Sequence, residues 1–592
     1  MVALPQRSVP TRADTLIFEI KAAILRGLCF AREALAPGRV KHHRPANALV
    51  DGPVLARISS PLWNNFTGTK DRLLTSGKVQ NLRVALKSFD GIEVPAGQTL
   101  SFWKQVGKAT RRRGFVAGRE LRESCLIASV GGGLCQLSNA LYEAALAADC
   151  EIVERHAHSR VVPGSRAQLG RDATVFWNYV DLRIRSARPF RIEAHMDRDQ
   201  LEIVFRGFGD AETGQHEPAT GAGVLPAAHD CTQCGRQECH LNNPDKPLRD
   251  DFPAAWLVDG CQPEFAALFA SLARQDDALF LPTRRFGAGR YAWPSGLVRN
   301  ETAATFTALR RSLDLRGAGQ GGALQARAMR ADARLAAAYA AKLSHLHTHL
   351  FIAQNLLPHL WQSGALQGRS FDVLMERLPL DVLQARLDDA AARHTDSSTL
   401  ADFRAPAAFV AAERAALQAA DRLFTAHRDI AKLAYWRTVL LDWAPAQPLP
   451  QQRGGRTVLF PASALGRKGA YGLREAIGGL DIDLVVKGSA TESADFWQDL
   501  PARRLGEDET LDRLAAVVLP ALIEHQPRIL LAALAAGIPV IATPACGLPA
   551  QPGLTLVVED DAVSLRSALE VALGARASSP LYDECDLLRD DC

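Results

Sequence analysis

The chain has 592 residues, of which 47% are hydrophobic and 23% are charged, and these values are ordinary for folded globular proteins. This length exceeds what one hydrophobic core can organise, so we expect about three or four domains and exclude a single-domain protein. Residues 1–210 hold 31 Lys and Arg against 20 Asp and Glu, but no basic run has interleaved aromatic residues, so a nucleic-acid partner is not indicated.

The first predicted element is a helix over residues 16–36, whose apolar residues recur at helical spacing. Charged residues interrupt this apolar pattern, so it is not typical of a signal peptide, and no run of 18 apolar residues predicts a membrane-spanning helix. The excess of basic residues in this part of the chain still allows peripheral contact with a membrane surface. Eleven cysteines, scattered apart from one cluster, favour reduced thiols and hence a cytoplasmic protein.

Alternating patterns along the rest of the chain predict a multidomain α/β protein. Short alternating strands around one helix predict an α+β module, whereas apolar strands that alternate with helices predict parallel sheets in two doubly wound, Rossmann-like domains. A stretch rich in Gly, Pro and Ala separates these two kinds of region. The predicted parts are an N-terminal helix and linker (1–54), the α+β module (55–207), a linker with clustered cysteines (208–253) and two sheet domains (254–450 and 451–592).

Within the α+β module, the sequence GGGLCQLSNALYEAAL puts Cys135 where a helix is predicted to begin. The positive end of a helix dipole lowers the pKa of a nearby thiol and favours a nucleophilic thiolate. Such a nucleophile needs a histidine base and an orienting carboxylate, and the downstream candidates are His156, His158 and Asp181. The pattern therefore predicts a catalytic cysteine site. The alternatives are a small residue packed where a helix meets a sheet, and a ligand site without chemistry.

The same segments resemble the VanW family, which is named for an accessory protein of vancomycin-resistance gene clusters in bacteria. The resemblance covers about residues 55–207 and is carried by GGGLCQLSNALYEAAL, VERHAHSR and DATVFWNYVDLRI, in that order. It implies that Gly131, Gly132, Gly133 and Gln136 belong to the core motif of the family, and we assign them to substrate binding. The resemblance implies a domain rather than a particular reaction.

The linker contains the tight cluster CTQCGRQEC, which comprises Cys231, Cys234 and Cys239. Two cysteines separated by two residues form a turn whose thiolates converge on one metal ion. We expect Cys261 or His229 as the fourth ligand, and zinc rather than an iron–sulfur cluster because a fourth cysteine is not securely placed. The pattern therefore predicts a structural zinc site, and the alternative is a surface loop without metal.

The C-terminal part resembles the nucleotide-sugar-binding domain of retaining glycosyltransferases with the GT-B fold over residues 456–592. A weaker likeness extends over residues 254–450, the usual acceptor half, where His427 lies near the turn into the interdomain linker. The resemblance implies that Arg467 and Lys468 meet the diphosphate of a nucleotide-sugar donor. It also implies that the carboxylate of Glu524 faces the sugar of this donor.

One position departs from the glycosyltransferase pattern. Ala532 stands where the pattern has a second glutamate, which holds the ribose hydroxyls of the donor. The loss of charge-assisted hydrogen bonds of roughly 1.5–3 kcal/mol would weaken donor binding by about ten- to a hundredfold. Either another group replaces this carboxylate, or this half is a retired or regulatory transferase.

These patterns lead to one favoured function and two alternatives. The favoured function is the transfer of a sugar from a nucleotide sugar to an unidentified acceptor, which is a small molecule or an envelope precursor. The first alternative is acyl transfer or amide cleavage at Cys135. The second alternative is a scaffold or sensor whose two halves bind ligands without catalysis.

Overall fold

The computed structural model describes residues 12–35, 42–63, 68–122, 125–157, 170–208, 252–286, 289–316, 321–433, 437–500, 502–506 and 511–574. The chain divides into two units. The first comprises the described residues up to Ala255 together with Lys342–Leu350 and Ser363–Ser370, and the second comprises the remaining described residues.

Antiparallel strands and four helices build the first unit. Its strands form a four-stranded sheet in the order β1-β9-β8-β2, a three-stranded sheet in the order β3-β7-β6 and the hairpin β4-β5. The elements are α1 (Arg12–Leu35), β1 (Val54–Pro61), α2 (Thr69–Leu86), β2 (Glu93–Val94), β3 (Thr99–Ser101), α3 (Phe102–Val106), β4 (Ala117–Arg122), β5 (Cys125–Val130), α4 (Cys135–Ala147), β6 (Glu151–Glu154), β7 (Arg183–Arg185), β8 (Phe190–Met196) and β9 (Gln200–Gly207).

The core of the first unit lies between α4 and the four-stranded sheet. Leu137 and Leu141 lie one turn apart on α4 and are buried, as are Ile203 and Phe205, which alternate along β9. The helix thus covers one face of the sheet, and its first turn is fixed at the edge of this core. The α+β character predicted for this region is confirmed.

Helix α2 buries polar side chains because it approaches β4 unusually closely. A side-chain carbon at Gly77 would lie 1.9 Å from the carbonyl oxygen of Ala117, so only glycine fits at this crossing. Asn81, one turn further along α2, donates to the carbonyl oxygens of Val116 and Gly132 at 3.0 and 2.9 Å. This helix therefore presents polar groups to the segment that precedes α4.

Two later segments of the chain complete the first unit. The Nε of Arg83 donates to the carbonyl oxygen of Gln367 at 2.6 Å, and the amide of Gly368 donates to the carbonyl oxygen of Asp197 at 3.1 Å. Arg369 donates through its Nε to the carbonyl oxygen of His347 at 2.8 Å. Arg83 and Arg369 are buried, and burial lowers the pKa of both guanidinium groups, that of Arg369 to about 10.

The seven-stranded sheet has the spatial order β12-β11-β10-β13-β14-β15-β16, and β11/β12, β14/β15 and β15/β16 pair in parallel. Its elements are β10 (Ala255–Leu257), α5 (Pro263–Leu272), β11 (Ala278–Leu281), β12 (Asn300–Ala303), α6 (Thr305–Arg316), α7 (Gly322–Ala340), β13 (His349–Ala353), α8 (Leu357–Gln362), β14 (Ser370–Leu374), α9 (Leu380–Arg393), α10 (Ala407–Ala419), β15 (Arg422–Thr425), α11 (Arg428–Ala431) and β16 (Thr438–Leu440).

The six-stranded sheet has the order β19-β18-β17-β20-β21-β22, and all its pairings are parallel. Its elements are β17 (Gln452–Phe460), α12 (Ala470–Ile477), β18 (Asp483–Val486), β19 (Ala502–Arg504), β20 (Arg513–Leu519), α13 (Arg528–Ala535), β21 (Val540–Ala542), β22 (Leu554–Leu556) and α14 (Ala562–Ala572).

Both sheets begin with the strand order third, second, first, fourth, which is the order of doubly wound nucleotide-binding folds. Parallel sheets of this kind are covered on both faces, which explains the continuous apolar run LAAVVL in β20. The prediction of two doubly wound, Rossmann-like domains after an α+β module is therefore confirmed. Of the helices described above, none combines the length and apolar character that a bilayer crossing requires.

Candidate functional site

The strand order of the six-stranded sheet determines where a ligand site is expected. In doubly wound sheets, ligands bind beyond the carboxyl ends of the first and fourth strands, where the direction of winding reverses. Here these strands are β17 and β20, and they lead into residues 461–469 and 520–527. Arg467, Lys468 and Glu524 lie on these two loops, so the sheet brings the three predicted donor-site residues to one crevice.

The two loops are bound directly to each other. The Nζ of Lys468 lies 2.9 Å from a carboxylate oxygen of Glu524 and donates to the carbonyl oxygen of Ile523 at 3.2 Å. The backbone carbonyl of Arg467 accepts the amides of Leu522 and Ile523, each at 3.1 Å. Among the described residues, the guanidinium of Arg467 has no hydrogen-bond or ion-pair partner. The crevice therefore contains one cation that is paired and one that is available for an anion.

Gly469 permits this close packing of the loops. It adopts φ of +77°, and a side-chain carbon at this position would lie 1.8 Å from the carbonyl oxygen of Pro520. Any other residue would separate the loop after β17 from the loop after β20. Glycine here is thus required by the approach of the two segments that carry Lys468 and Glu524.

A partly buried carboxylate fixes the middle of the first loop. Glu492 accepts the amide of Gly466 at 2.6 Å and the hydroxyl of Ser397 at 2.9 Å, and it also accepts the hydroxyl of Thr399. Burial alone would raise the pKa of Glu492, but these hydrogen bonds outweigh it and hold the pKa below its ordinary value. The loop of Arg467 is therefore tied to the loop before α10 by an ionised carboxylate.

The side chain of His427 is buried and connects segments of the second unit rather than facing solvent. Its side chain is 2% exposed, its Nε2 lies 2.7 Å from the carbonyl oxygen of Glu524, and its Nδ1 accepts the amide of Ile430 at 3.4 Å. The ring also packs on Gly547, where a side-chain carbon would lie 2.3 Å from Nδ1. Burial lowers the pKa of His427, so the ring is neutral and joins the seven-stranded sheet to the six-stranded one.

A second neutral imidazole lies next to Glu524. The Nε2 of His525 accepts the amide of Leu378, which follows β14, at 3.3 Å. Burial, followed by the nearby His427 and Arg377, lowers the pKa of His525 well below its usual value. The two sheets of the second unit therefore meet through neutral imidazoles in surroundings that contain several fixed cations.

An ion pair also lies at this boundary between the two sheets. Arg528, at the start of α13, makes two contacts of 2.7 and 2.6 Å to the carboxylate of Glu264 in α5, whose side chain is 1% exposed. Glu264 also accepts the amide of Ala444 at 2.7 Å. Burial would raise the pKa of Glu264, but the hydrogen bond from Arg528 and the amide contacts lower it. This carboxylate is therefore ionised, and both of its oxygens contact Arg528 at the start of α13.

The position of α13 that departs from the glycosyltransferase pattern lies on the same helix face as Arg528. Ala532 follows Arg528 by one turn of α13 and is partly buried, and its carbonyl oxygen accepts the amide of Leu449 at 3.1 Å. This face thus offers an arginine already paired with Glu264 and a methyl group. It has no carboxylate for ribose hydroxyls at the position where the pattern has one.

The carboxyl ends of the seven-stranded sheet carry a second polar cluster. Arg311 contacts Asp259 at 2.7 Å and Asp332 at 3.2 Å, and Asn355 donates to Asp259 at 2.9 Å. Burial raises the pKa of Asp332 to about 6, despite the attraction of Arg311. Asp259 follows β10 and Asn355 follows β13, so this cluster lies at the reversal point of its own sheet.

Glu376 belongs to this second cluster and was missed by the sequence analysis. It lies two residues after the end of β14, and burial, together with the charge of Asp259, raises its pKa to about 8. Its carboxyl group has no hydrogen-bond partner among the described residues. Leu378, two residues after Glu376, donates its amide to His525, the residue after Glu524. Glu376 is therefore two residues away from a contact with the loop of Glu524. The signal was present in FDVLMER, an apolar strand that ends in a carboxylate.

In the first unit, the glycines before Cys135 are explained by packing. A side-chain carbon at Gly132 would lie 2.5 Å from the carbonyl oxygen of Gly118, and one at Gly133 would lie 2.2 Å from the Cγ of Lys78. Gly131 and Gly133 also adopt positive φ values of +84° and +94°. Helix α4 then begins at Cys135, as predicted. The loop is tightly packed against β4 and α2, which agrees with the packing alternative for these glycines.

The structure brings only part of the predicted cysteine site together. The Sγ of Cys135 lies 3.8 Å from the hydroxyl of Thr174, whose amide donates to the carbonyl oxygen of His156 at 2.8 Å. The ring of His156 is half exposed, and its Nε2 lies 3.2 Å from a carboxylate oxygen of Glu154. His158 lies outside the described residues. Cys135 and His156 therefore both border Thr174, and the carboxylate beside His156 is that of Glu154.

Asp181 has a different set of partners. It is 5% exposed and accepts the hydroxyl of Ser101 at 2.5 Å, the amide of Trp103 at 3.1 Å and the Nε of Arg183 at 3.1 Å. Burial raises the pKa of Asp181 despite these contacts. This carboxylate anchors the start of α3 and β7, and its role as the orienting acid of a catalytic cysteine stays a prediction.

The side chain of Gln136 connects two elements of the first unit. Its amide nitrogen donates to the hydroxyl of Ser60 at 3.0 Å and to the carbonyl oxygen of Pro61 at 2.8 Å. These contacts tie the first turn of α4 to the end of β1. The assignment of Gln136 to substrate binding stays a prediction.

Lys78 is a further residue that the sequence analysis missed. It is 7% exposed, it packs on Gly133, and no described residue accepts a hydrogen bond from its amino group. Burial, followed by repulsion from Arg119, lowers the pKa of Lys78 to about 7, although Asp71 opposes this shift. Arg119 itself is paired with Asp71 at 2.8 Å. A lysine that titrates near neutrality thus lies against the loop that precedes Cys135.

The predicted zinc site requires a correction. Cys231, Cys234, Cys239 and His229 lie outside the described residues, whereas Cys261 lies within them and donates its amide to the carbonyl oxygen of Arg290. Within the described ranges, no three His, Cys, Asp or Glu side chains come together as a metal site. Burial raises the pKa of the Cys261 thiol to about 11. The prediction of a zinc-binding protein is therefore withdrawn.

Comparison with known sequences identifies the domain that contains Cys135. Residues 77–206 match the family model described as VanW like protein. The vancomycin B-type resistance protein VanW of Enterococcus faecalis is 31% identical over 164 residues, which are 27% of this chain and 58% of that protein. The uncharacterized protein YoaR of Bacillus subtilis is 34% identical over 147 residues, 24% of this chain and 48% of its own length. The chain spans about half the length of these curated relatives.

The chain is also similar to solved structures of glycosyl-transferring enzymes. Sucrose-phosphate synthase of Thermosynechococcus elongatus aligns with 55% of this chain and 87% of its own, at 15% identity and a TM-score of 0.36. The UDP-forming trehalose-phosphate synthase of Burkholderia vietnamiensis aligns with 55% and 92%, at 13% identity and 0.32. Anabaena HepE, in complex with UDP and glucose, aligns with 54% and 90%, at 13% identity and 0.30.

Proposed function

We propose that the second unit binds a nucleotide sugar and transfers its sugar to a small-molecule or envelope-precursor acceptor, in a chain that also carries a VanW domain. The observation that carries this proposal is the convergence of Arg467, Lys468 and Glu524 beyond the carboxyl ends of β17 and β20. The two cations suit the anionic diphosphate of such a donor. The carboxylate suits its sugar, whose hydroxyl groups donate hydrogen bonds.

Arg467 is the primary diphosphate ligand in this proposal, because no described residue pairs with its guanidinium. Lys468 is the second, and it must share its ammonium group between the diphosphate and Glu524. When the diphosphate draws Lys468 away, the carboxylate of Glu524 is released to accept hydroxyls of the sugar. Binding of the two parts of the donor is therefore coupled through this ion pair.

In the proposed transfer, the bond between the anomeric carbon and the diphosphate oxygen breaks, and its electron pair stays with the diphosphate. Arg467 and Lys468 stabilise the charge that develops there. The acceptor hydroxyl oxygen forms the new bond to the anomeric carbon, and its proton passes to the carboxylate form of Glu376. A carboxyl group whose pKa is about 8 suits a general base near neutral pH.

Calorimetric titration of the intact protein with UDP, ADP, GDP and their glucose conjugates tests this proposal. We expect one of these series to bind, and Lys468→Ala to weaken binding by at least about tenfold, the effect of about 1.4 kcal/mol from one charge-assisted contact. Lys70→Ala is the matched control, because Lys70 is an exposed lysine of α2 in the first unit. Absence of any binding at millimolar concentration, in wild type and variants alike, would overturn the proposal.

A second candidate function, acyl transfer or amide cleavage through Cys135, is supported by the start of α4 at this residue and by the proximity of Lys78 to Gly133. The thiolate would attack an acyl carbon and expel a protonated leaving group, and water or an amine would then take the acyl group. Alkylation of wild type and Cys135→Ser across pH tests it. We expect Cys135 to react with a midpoint below the ordinary thiol value of about 8.5, and a midpoint at that value contradicts this function.

A further inference from the structure

Helix α1 exposes a broad apolar face to solvent. Its large apolar side chains with exposed fractions between 46% and 71% are Leu16, Ile17, Ile20, Ile24, Leu25, Leu28 and Phe30. A helix on a globular protein ordinarily buries its apolar stripe against the core. A contiguous apolar surface of this kind marks a site of interaction with another body.

The attachment of α1 to the first unit uses its other side. Ala22 is 2% exposed, and Arg26, one turn later, donates through its Nε to the carbonyl oxygen of Trp177 at 3.3 Å. The guanidinium of Arg26 also lies 6.0 Å from the centre of the Tyr179 ring. Because residues four apart share one side of a helix, the small and charged side of α1 faces the protein and the apolar side faces outward.

A strongly cationic segment lies beside this attachment. The ring of Trp177 packs edge-on against that of Trp103 in α3, with 5.4 Å between ring centres. Residues 104–113, KQVGKATRRR, follow Trp103 and contain no acidic residue. The exposed cations of this segment are Lys104, Lys108, Arg111, Arg112 and Arg113. Trp177 therefore contacts both Arg26 of α1 and Trp103, the residue directly before this segment, so the cationic segment lies in the same region of the first unit as α1.

We propose that α1 and residues 104–113 form a docking surface for the anionic face of a lipid membrane, with α1 lying in the plane of the interface. Its apolar side chains would enter the boundary between headgroups and acyl chains, while the five cations would contact lipid phosphates and other anionic headgroups. Both features are needed, because an amphipathic helix of this size binds through apolar burial and electrostatic attraction together.

Charge favours a membrane over a second copy of this chain as the occupant. In a symmetric dimer through α1 the same patch of both copies would meet, and the interface would contain two copies of the cationic segment. Like charges brought together in this way oppose association. An anionic membrane instead neutralises all five cations while it covers the apolar face.

Sedimentation of the full chain with vesicles tests the proposal. We expect binding to vesicles of phosphatidylcholine and phosphatidylglycerol, at least about tenfold weaker binding to phosphatidylcholine alone, and a loss of binding at high salt because exposed charges are then screened. Ile20→Glu with Ile24→Glu should abolish binding, and Arg111→Glu with Arg112→Glu should reduce it at least about tenfold on the anionic vesicles.

Phe306→Glu is the matched control, since Phe306 is 79% exposed on α6 in the second unit, and it should bind vesicles like the wild type. Light scattering of the same proteins reports the oligomeric state. A wild-type dimer that becomes monomeric in Ile20→Glu with Ile24→Glu, without vesicle binding, would show a contact between copies and overturn the proposal. A wild type that neither binds vesicles nor self-associates would overturn it equally.

Discussion

Lys468 and Glu524 form an ion pair of 2.9 Å between two loops that follow different strands of one parallel sheet. Their side chains are 21% and 14% exposed, so the pair lies at the rim of the crevice rather than beneath it. In the proposed function, each residue is both a partner of the other and a contact of the donor. The two opposite charges neutralise each other at this point, so a substitution of either residue leaves the other charge without this partner.

Glu524→Gln should separate binding from turnover. Removal of the carboxylate frees Lys468, so we expect a nucleoside diphosphate to bind about three- to tenfold more tightly, a gain of roughly 0.7–1.4 kcal/mol. The sugar loses its anionic acceptor, so turnover of the nucleotide sugar should fall at least about a hundredfold. Calorimetry and a product assay on one preparation give both values. Weaker diphosphate binding in this variant would show that Glu524 organises the loop and does not compete for Lys468.

Ala532→Glu tests the departure from the glycosyltransferase pattern. A carboxylate on this face of α13 should restore hydrogen bonds to a ribose and strengthen nucleotide binding by about tenfold. Ala535→Glu is the control, because Ala535 is exposed near the end of the same helix. Equal affinities in both variants, measured by calorimetry, would mean that ribose does not reach this face.

Glu376 should give opposite pH dependences of activity and stability. Activity should rise with the ionised fraction of Glu376, with a midpoint at about pH 8, and Glu376→Gln should lose this rise. Between its ordinary pKa of 4.5 and about 8, the folded state binds more protons than the unfolded state, so stability falls as pH rises. We therefore expect Glu376→Gln to raise the free energy of unfolding at pH 8 by about 1–3 kcal/mol.

Denaturant unfolding at several pH values measures the second effect. A pH dependence of unfolding that is identical in wild type and Glu376→Gln would contradict the raised pKa of this carboxyl group. Activity that keeps its pH midpoint in the variant would separately exclude Glu376 as the base.

Lys78 should destabilise the first unit at acidic pH. Its pKa of about 7 lies below the ordinary 10.5, so the buried charge opposes folding at pH 6, and stability rises with pH between about 7 and 10.5. One pKa unit corresponds to about 1.4 kcal/mol, so we expect Lys78→Met to raise the free energy of unfolding at pH 6 by at least about 2 kcal/mol. Lys70→Met, at an exposed lysine of α2, should change it little. A lower stability of Lys78→Met at pH 6 would falsify this account.

Local patterns predicted the architecture well because they arise from neighbours in sequence. The alternation of apolar strands and helices is a local signal, and it correctly predicted two doubly wound sheets. The glycines before Cys135 likewise predicted a helix start, which the structure has at this residue. Lys468 and Glu524 were assigned to one donor site by the resemblance to glycosyltransferases, and their loops lie together because parallel strands end at the same edge of their sheet.

Features that depend on distant segments could not be predicted in this way. Lys78 is buried because Gly77 allows α2 to approach Ala117, and nothing near Lys78 in sequence reports this contact. The pairing of Arg528 with Glu264 joins residues that are 264 positions apart. Cysteine spacing suggested zinc, but whether Cys261 joins other ligands depends on tertiary structure rather than on spacing.

The first unit includes two segments from later in the chain. This matters when fragments of the protein are produced. A fragment that ends at Ala255 lacks the backbone carbonyls of Gln367 and His347, which accept hydrogen bonds from Arg83 and Arg369, and it lacks Arg369 itself. The Nε of Arg83 would then lose its acceptor in the isolated VanW region. During synthesis, likewise, this region can complete its native contacts only after residue 370 has left the ribosome. Soluble fragments therefore need the whole stretch to residue 370 or a replacement for these two segments.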